Sequence, residues 1–178
     1  YQDPKVALNE FMRVRSQVEE AAGVGFEKVK TNHAKNDWVE KEVNDLLDIL
    51  MLRDIEKQYP FIMSGGQIRR LGIARVLAAQ PKIIIADEPT ASLDVSTKNM
   101  VLDYLSKFNR QRKNDGLPMG TILISHDLET ISRYSDKVLV MQNGHLVEVL
   151  QKDGNGGFDP KMPFTIKLWE DNAFFMRA

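Results

Sequence analysis

Hydrophobic residues in the first part of the chain recur at the spacing of helices. In residues 38–53 five apolar side chains fall on one helix face: Val39, Val43, Leu46, Leu47 and Leu50. Asp37 is placed to cap the N-terminus of this helix. Residues 5–22 and 67–79 are also predicted to be helical, and Pro81 should end the third helix, because proline disfavours helix in the residue before it.

After Pro81 the pattern changes to short runs of β-branched and aliphatic residues. Four such runs predict strands: KIIIAD (82–87), TILIS (121–125), KVLVM (137–141) and LVEVL (146–150). The first two have the composition of strands buried on both faces. Asn143-Gly144 predicts a hairpin turn between the last two. Residues 95–112 and 128–134 are predicted to be helices.

These elements predict three parts and an α/β fold. Residues 1–80 form a helical part, residues 81–150 an α/β part, and residues 151–178 a less regular tail that opens with the glycine-rich KDGNGG. Because strands alternate with helices in the middle part, we expect parallel strand pairing and a sheet covered on both faces.

Composition narrows the possible functions. The 178 residues are 43% hydrophobic, which suffices for one ordinary domain with a core. The net charge of -1 provides no strong field, so we expect no nucleic-acid partner. The absence of cysteine excludes disulfides, cysteine-ligated zinc and iron–sulfur clusters. No segment approaches the roughly 18 apolar residues of a membrane span.

Two carboxylates, Asp87 and Glu88, follow the first predicted strand. Ligands of open α/β sheets bind beyond the carboxyl ends of strands, so this position suits a binding site. One of the two carboxylates could hold Mg²⁺, which prefers oxygen ligands, and the second could orient or deprotonate a water that attacks phosphorus. The alternative is a polar turn without function, but the sequence PTASLD that follows directly favours the functional interpretation.

Two further segments have a chemical and a structural interpretation. His126 follows the second predicted strand and could donate a hydrogen bond to a phosphate, or it could be a capping or surface histidine. Ser125 or Asp127 could cap the next helix in either case. The segment Ser64-Gly65-Gly66-Gln67 leads into the third helix, with Ser64 as a candidate N-cap. It could cradle a phosphate with backbone N–H groups, or it could be a capped helix only.

The motifs in their order resemble the nucleotide-binding domain of ABC transporters, whose fold is of the P-loop NTPase type with an inserted helical subdomain. Ser64 to Gln67 matches the signature motif of that family, and Ile83 to Asp87 matches Walker B, followed by Glu88 as the catalytic glutamate. Ala91 to Asp94 matches the D-loop, and His126 matches the switch histidine. The dense part of the resemblance runs from Tyr59 to about Leu150.

The start of the chain resembles the Q-loop of the oligopeptide/dipeptide importer subfamily, with Gln2 as the Q-loop glutamine. The tail segment DPKMPFTIKLWED resembles the C-terminal segment of that subfamily. Glu10 stands where a proline is common, and Met162-Pro163-Phe164 replaces the usual His-Pro-Tyr, so the transported solute is less defined than the class.

The resemblance implies an ATPase that binds ATP and Mg²⁺ and works as a pair with an identical or paralogous ATPase subunit. Ser64, Gly65, Gly66 and Gln67 would contact ATP held by the partner, while Glu88 and His126 would act on the chain's own ATP. Asp87 and Gln2 would order Mg²⁺, and Asp94 would link the two sites. The helical segment of about residues 9–70 would dock on a membrane permease at the cytoplasmic face of the membrane, and a solute-binding protein would act indirectly.

The Walker A motif of the family, G-x-x-x-x-G-K-[ST], does not occur in the sequence, since none of its 11 glycines precedes a lysine. We therefore expect this chain alone to bind ATP poorly and to be inactive. It could start after that motif, be half of a split protein, or be a fragment. A soluble ABC ATPase without transport function and a partner subunit that does not hydrolyse ATP are the alternative functions.

Overall fold

The computed structural model describes residues 8–29, 34–90, 94–114 and 116–173. Within these ranges the helices and strands follow in this order: α1 (Val14–Phe26), α2 (Lys35–Ile49), α3 (Gly65–Ala78), β1 (Ile83–Asp87), α4 (Val95–Asn114), β2 (Gly120–Ile124), α5 (Leu128–Tyr134), β3 (Lys137–Gln142), β4 (His145–Gln151) and α6 (Pro163–Ala173). The chain divides into two compact units, with the boundary between Ile122 and Leu123.

Helices α1, α2 and α3 pack together and form the core of the first unit. The side chains that are fully buried there are mainly aliphatic: Val14, Val18, Val43, Leu46, Leu47, Leu50, Leu52, Leu71 and Leu77. The apolar positions predicted for the second helix thus supply much of this core. Two short 3-10 turns, Arg53–Ile55 and Pro60–Ile62, connect α2 to α3.

Helix α1 begins at Val14, so the prediction of helix from residue 5 was wrong for residues 8–13. The buried side chain of Gln17 holds this segment. Its amide nitrogen donates to the carbonyl oxygens of Asn9 and Met12 at 3.0 and 2.9 Å, and its oxygen accepts from the N–H of Asn9 at 3.1 Å. Side-chain hydrogen bonds therefore satisfy backbone groups that helical hydrogen bonds would otherwise pair.

Helix α2 begins at Lys35, three residues earlier than predicted. Its N-cap residue is Ala34, which makes no side-chain capping hydrogen bond, so the prediction of Asp37 as the cap was wrong. Asp37 lies instead in the first turn, where its negative charge favours the positive end of the helix dipole.

Strands β1 and β2 pair, and the N–H of Gly120 donates to the carbonyl of Lys82 at 2.9 Å. This contact places the beginnings of the two strands side by side, as parallel pairing requires. Ile84 and Ala86 are buried, but Ile83 and Ile85 are 65% and 68% exposed. The expectation that β1 is buried on both faces was therefore wrong. Within the described residues, the chain covers only alternate side chains of this strand.

The second unit contains the hairpin of β3 and β4, which are antiparallel. Asn143 and Gly144 have φ angles of 49° and 80°, the left-handed values of a two-residue hairpin turn, so the predicted hairpin is confirmed. Its core is built from apolar side chains of α5 and the hairpin: Ile131, Val138, Val140 and Leu150. Aromatic and aliphatic side chains of the tail pack against this core: Phe158, Phe164, Leu168 and Trp169.

The tail is more regular than predicted, because α6 occupies Pro163–Ala173. The carboxylate of Glu148 on β4 accepts the backbone N–H groups of Lys161 and Met162 at 2.9 and 3.2 Å, just before this helix. Partial desolvation acts to raise the pKa of Glu148, but the hydrogen bonds it accepts outweigh this and leave the pKa lowered. Sequence analysis could not find this contact, because Glu148 is distant in sequence from the residues it holds.

Candidate functional site

Ser64 caps the N-terminus of α3, as predicted. Its Oγ accepts the N–H of Gln67 at 3.3 Å, and Oε1 of Gln67 accepts the N–H of Ser64 at 2.8 Å. This reciprocal pair is a capping box and fixes the approach of the chain to the helix. Because Oγ is the acceptor in its bond to Gln67, the hydroxyl hydrogen of Ser64 can still be donated to a ligand.

Gly65 and Gly66 are the first two residues of α3. Their N–H groups belong to the first turn of the helix, whose donors have no acceptor within the helix. A Cβ atom added to Gly65 would meet no atom within 4 Å. Packing within the described chain therefore gives no reason for glycine at this position, whereas close approach of a phosphate to the backbone would give one.

Asp87 ends β1 and is exposed, and the half-buried Glu88 follows it. Glu88 has a φ angle of 44°, in the left-handed region that residues with a side chain rarely adopt. Such a conformation costs on the order of 1–3 kcal/mol and persists only where surrounding contacts hold it. The strand end is therefore strained at the residue that sequence analysis assigns as the catalytic base.

Arg69 of α3 contacts this strained residue. Its Nη1 donates a hydrogen bond to the backbone carbonyl of Glu88 at 3.1 Å. Sequence analysis did not identify this contact. No local signal could have revealed it, because the two residues are 19 positions apart.

Asp94 lies just before α4, and both of its carboxylate oxygens accept hydrogen bonds from Thr97. Oδ1 accepts the N–H of Thr97 at 2.9 Å, and Oδ2 accepts its hydroxyl at 2.6 Å. These bonds lower the pKa of Asp94. The residue predicted to link two ATP sites thus also caps a helix, which sequence analysis did not anticipate; its contact with a partner subunit stays a prediction.

His126 lies in the second unit and is exposed. The following helix α5 is capped by Asp127, whose carboxylate accepts the N–H and the hydroxyl of Thr130 at 3.1 and 2.9 Å. Oγ of Ser125 accepts the N–H of Asp127 at 3.2 Å. The capping role is therefore taken by Asp127, and His126 is not needed for it. Gln2 and residues 91–93 lie outside the described residues.

The described residues include no group of three or more acidic, histidine or cysteine side chains that could hold a metal ion. The exposed carboxylate of Asp87 could supply one oxygen ligand. Mg²⁺ that binds with few protein ligands takes the remainder from phosphate oxygens and water. The donor set therefore fits Mg²⁺ that arrives with a nucleotide and does not form a cage for the ion alone.

Apolar surface lies on the first unit next to the signature segment. Phe11, Phe61 and Ile62 are 90%, 67% and 59% exposed. A cavity of about 120 Å³ adjoins them and is lined by Leu8, Glu10, Pro60, Phe61, Met63 and Ile68. Exposed clusters of large apolar side chains are typical of interaction sites. None of the helices in the described ranges is long and apolar enough to cross a membrane.

Comparison with known proteins defines the family. The family model described as "ABC transporter" matches residues 2–91, which is just over half of the chain. The chain belongs to the ABC transporter family of ATP-binding domains.

Curated relatives differ in the solute that their names specify. The oligopeptide transport ATP-binding protein OppF of Streptococcus mutans is 40% identical over 154 residues, 86% of this chain and 47% of the relative. OppF of Escherichia coli K12 is 36% identical over 94% of this chain and 47% of the relative. The methionine import ATP-binding protein MetN 1 of Listeria monocytogenes is 42% identical over 67% of this chain and 34% of the relative. The chain thus spans about half or less of the length of these relatives.

Solved structures support the fold. A dimeric post-hydrolysis state of the ATP-binding cassette MJ0796 bound to ADP and Pi matches with a TM-score of 0.67 and 24% identity, over 86% of this chain and 62% of that one. A second dimeric structure of MJ0796, described as a bacterial ABC transporter cassette, matches with a TM-score of 0.64. The fold is therefore that of an ABC ATPase cassette, which confirms the predicted fold class.

Proposed function

We propose that this chain is part of the ATP-hydrolysing subunit of an ABC importer and that it supplies residues to two ATP sites. The observation that carries this proposal is the placement of the motifs. Ser64 and Gly65 stand at the free N-terminus of α3, and Asp87 and Glu88 stand at the carboxyl end of β1. The N-terminus of α3 suits an anion, and the carboxyl end of β1 suits a metal-bound phosphate and an attacking water.

The signature side acts on ATP held by a second ATPase subunit. The hydroxyl of Ser64 and the N–H groups of Gly65 and Gly66 donate to the γ-phosphate, and the N-terminal end of the α3 dipole favours its negative charge. The capping box occupies the side-chain oxygen of Gln67, so this residue shapes the loop more than it contacts the nucleotide. The dimeric form of the MJ0796 cassette supports a paired arrangement for this chain.

The remaining site residues act on ATP bound in the chain's own half-site. Glu88 orients the attacking water and accepts a proton from it, and His126 donates a hydrogen bond to the γ-phosphate. Asp87 and Gln2 hold Mg²⁺, which when bound neutralises charge on the phosphate oxygens. Asp94, which is fixed by Thr97, contacts the partner subunit next to the other site.

Oligopeptides are the solute class that the relatives favour. The OppF proteins of Streptococcus mutans and Escherichia coli match 86% and 94% of the chain and that of Lactococcus lactis 69%, whereas the match to MetN 1 covers 67%. The longer matches therefore reach further into the parts outside the common ATPase motifs. Solute selection itself would reside in permease and solute-binding subunits, so methionine or a related solute is the alternative within the same class.

The apolar surface around Phe11 and Phe61 supports docking to a permease. These exposed aromatic side chains and the adjacent cavity offer a binding place for an apolar residue of a membrane subunit. Docking there would hold the ATPase on the cytoplasmic face of the membrane as a peripheral subunit. Closure of two ATPase subunits on ATP, and their opening after hydrolysis, would drive the permease between its orientations.

The chain by itself should bind ATP weakly. No G-x-x-x-x-G-K-[ST] motif occurs in its sequence, so the backbone N–H groups and the lysine that wrap phosphates in this class are not among its residues. Titration of the chain with a fluorescent ATP analogue should show no saturation in the micromolar range. Micromolar affinity would contradict this proposal.

The replacement Glu88→Gln in the full-length protein tests the proposed function. We expect ATP turnover to fall by about 100-fold or more, because amide nitrogen and oxygen cannot accept the proton as a carboxylate does. ATP-dependent dimerisation, measured by size-exclusion chromatography with light scattering, should persist. Substantial turnover by this variant would show that another group is the base, and loss of dimerisation would show that Glu88 has a structural role instead.

A further inference from the structure

We propose that Arg69 is a positioning residue for ATP hydrolysis, because its guanidinium holds the backbone of Glu88 in the conformation that catalysis requires. This inference rests on the proposed function, in which Glu88 is the base. It adds a residue to the hydrolytic site that comes from the signature helix and does not contact the nucleotide.

The first argument is the strain at Glu88. Its φ angle of 44° is unfavourable for a residue with a side chain, and such a conformation needs contacts that hold it. One contact to its backbone is the hydrogen bond from Arg69 Nη1 to the carbonyl oxygen, at 3.1 Å. A charged donor strengthens such a bond relative to a neutral one. Removal of the guanidinium would therefore remove a contact that holds the peptide group after Glu88.

The second argument is the location of Arg69. It lies five residues after Ser64 on the same helix, which corresponds to roughly 7.5 Å along the axis at 1.5 Å per residue. One short helix thus carries the N-terminal donors proposed for the partner's ATP and the arginine that contacts the strained strand end. A shift of this helix on nucleotide binding would reach Glu88 through the hydrogen bond from Arg69.

The third argument concerns what this geometry demands of the side chain. Arg69 and Glu88 are both half-buried, so water can replace the hydrogen bond between them only in part. Arginine spans the distance from the helix to the strand end and stays charged at all working pH values. Lysine at this position keeps a charge and a donor but has a shorter reach and no planar fork. Lysine should therefore keep part of the positioning of Glu88, whereas alanine should keep none.

The test uses the full-length ATPase with the variants Arg69→Ala, Arg69→Lys and Glu88→Gln, and Arg53→Ala as control. Arg53 is matched because its side chain donates to both carboxylate oxygens of Asp48 and to Asn44 in the helical part, away from the strand end. Steady-state ATPase kinetics give kcat and KM, and thermal unfolding together with ATP-dependent dimerisation reports on structure.

We expect Arg69→Ala to lower kcat by about 10-fold to 100-fold with KM for ATP changed less than about 2-fold, as displacement of a catalytic group does. The kcat of Arg69→Lys should lie between that of Arg69→Ala and that of the unmodified protein. Arg53→Ala should have the kcat of the unmodified protein. The double variant Arg69→Ala/Glu88→Gln should be no slower than Glu88→Gln alone, because positioning has no value once the base is gone.

The outcomes separate the two proposals. If Glu88→Gln abolishes turnover while Arg69→Ala keeps it, the positioning role is wrong and the proposed function stands. If Glu88→Gln keeps turnover, the assignment of the base is wrong, and the role of Arg69 is wrong with it. If kcat of Arg69→Ala falls only together with ATP-dependent dimerisation and melting temperature, Arg69 is a general structural residue and the inference is overturned.

Discussion

Gln80 Nε2 donates a hydrogen bond of 2.9 Å to the Glu42 carboxylate and thereby ties α2 to the second residue after α3. The side-chain oxygen of Gln80 accepts a bond from Arg112 in the last turn of α4. Gln80 is buried and has a φ angle of 49°, so it ends α3 in the left-handed conformation that is common after helices. One amide side chain therefore joins the helical part to the α/β part of the first unit.

This connection should make stability depend on pH near neutrality. Burial and, second, the charge of Asp45 raise the pKa of Glu42 to about 7, against the lowering effects of Arg112, Gln80 and Lys41. A carboxyl whose pKa is raised by folding binds its proton more tightly when folded, so its contribution is full below the unfolded pKa. That contribution is lost as pH rises through about 7. The first unit should therefore be less stable at pH 8 than at pH 6.

The replacement Glu42→Gln keeps an acceptor for Gln80 and removes the charge. We expect it to raise the free energy of unfolding at pH 8 by about 1–2 kcal/mol and to flatten the dependence between pH 6 and pH 8. Urea unfolding followed by the fluorescence of Trp38 in a Trp169→Phe background reports on this unit. Glu40→Gln, an exposed position of the same helix, is the control. An unchanged pH dependence in Glu42→Gln would contradict the assignment.

A second prediction concerns two glycines of α1 that differ in their surroundings. A Cβ atom at Gly25 would lie 2.0 Å from the carbonyl oxygen of Ala78, so α1 and the end of α3 approach each other too closely for any side chain. A Cβ atom at Gly23 would meet no atom within 4 Å. Gly25→Ala should therefore destabilise the first unit by about 1–3 kcal/mol, because backbone must move to relieve the overlap.

Gly23→Ala is the matched control and should stabilise the unit by about 0.5–1 kcal/mol, since alanine favours helix and finds free space there. Midpoints of urea unfolding, again followed by Trp38, compare the two variants under the same conditions. Equal effects of both substitutions would mean that helix propensity, and not the close approach of α1 to α3, decides the stability.

The sequence predicted the parts of this molecule that local rules determine. Ser64 was predicted as a cap because serine before a helix is a local signal, and the hairpin was predicted because Asn143-Gly144 favours left-handed backbone. The errors came from contacts between distant residues. Gln17 holds residues 8–13 out of a helix, and Glu148 of β4 holds the backbone just before α6.

The same reason limits what sequence could reveal about the site. The residue types of Asp87 and Glu88 and their position at a strand end predicted where they would lie. Neither the positive φ angle of Glu88 nor its bond to Arg69 has a local signature, because both arise from tertiary packing. The exposure of Ile83 and Ile85 was missed for a related reason, since an apolar run indicates that a strand is suited to burial and does not show what covers it.

The last prediction separates the role of Gly65 in the fold from its role in nucleotide recognition. Because a Cβ atom at this position meets nothing within 4 Å, Gly65→Ala should keep the capping box of Ser64 and Gln67. Its stability should equal that of the unmodified protein or exceed it by about 0.5 kcal/mol, given the higher helix propensity of alanine. The methyl group would, however, stand where the γ-phosphate of the partner's ATP approaches the helix N-terminus.

In the full-length protein we therefore expect Gly65→Ala to weaken ATP-dependent dimerisation by about 10-fold or more, since about 1.4 kcal/mol of lost contact suffices for this. Titration of dimer formation with ATP in the Glu88→Gln background measures the effect without turnover. Gly23→Ala provides the control, because it makes the same substitution in open space on another helix. If both variants dimerised equally well, Gly65 would have no part in nucleotide recognition. If Gly65→Ala unfolded at a lower urea concentration than the unmodified protein, Gly65 would be needed for the stability of the fold.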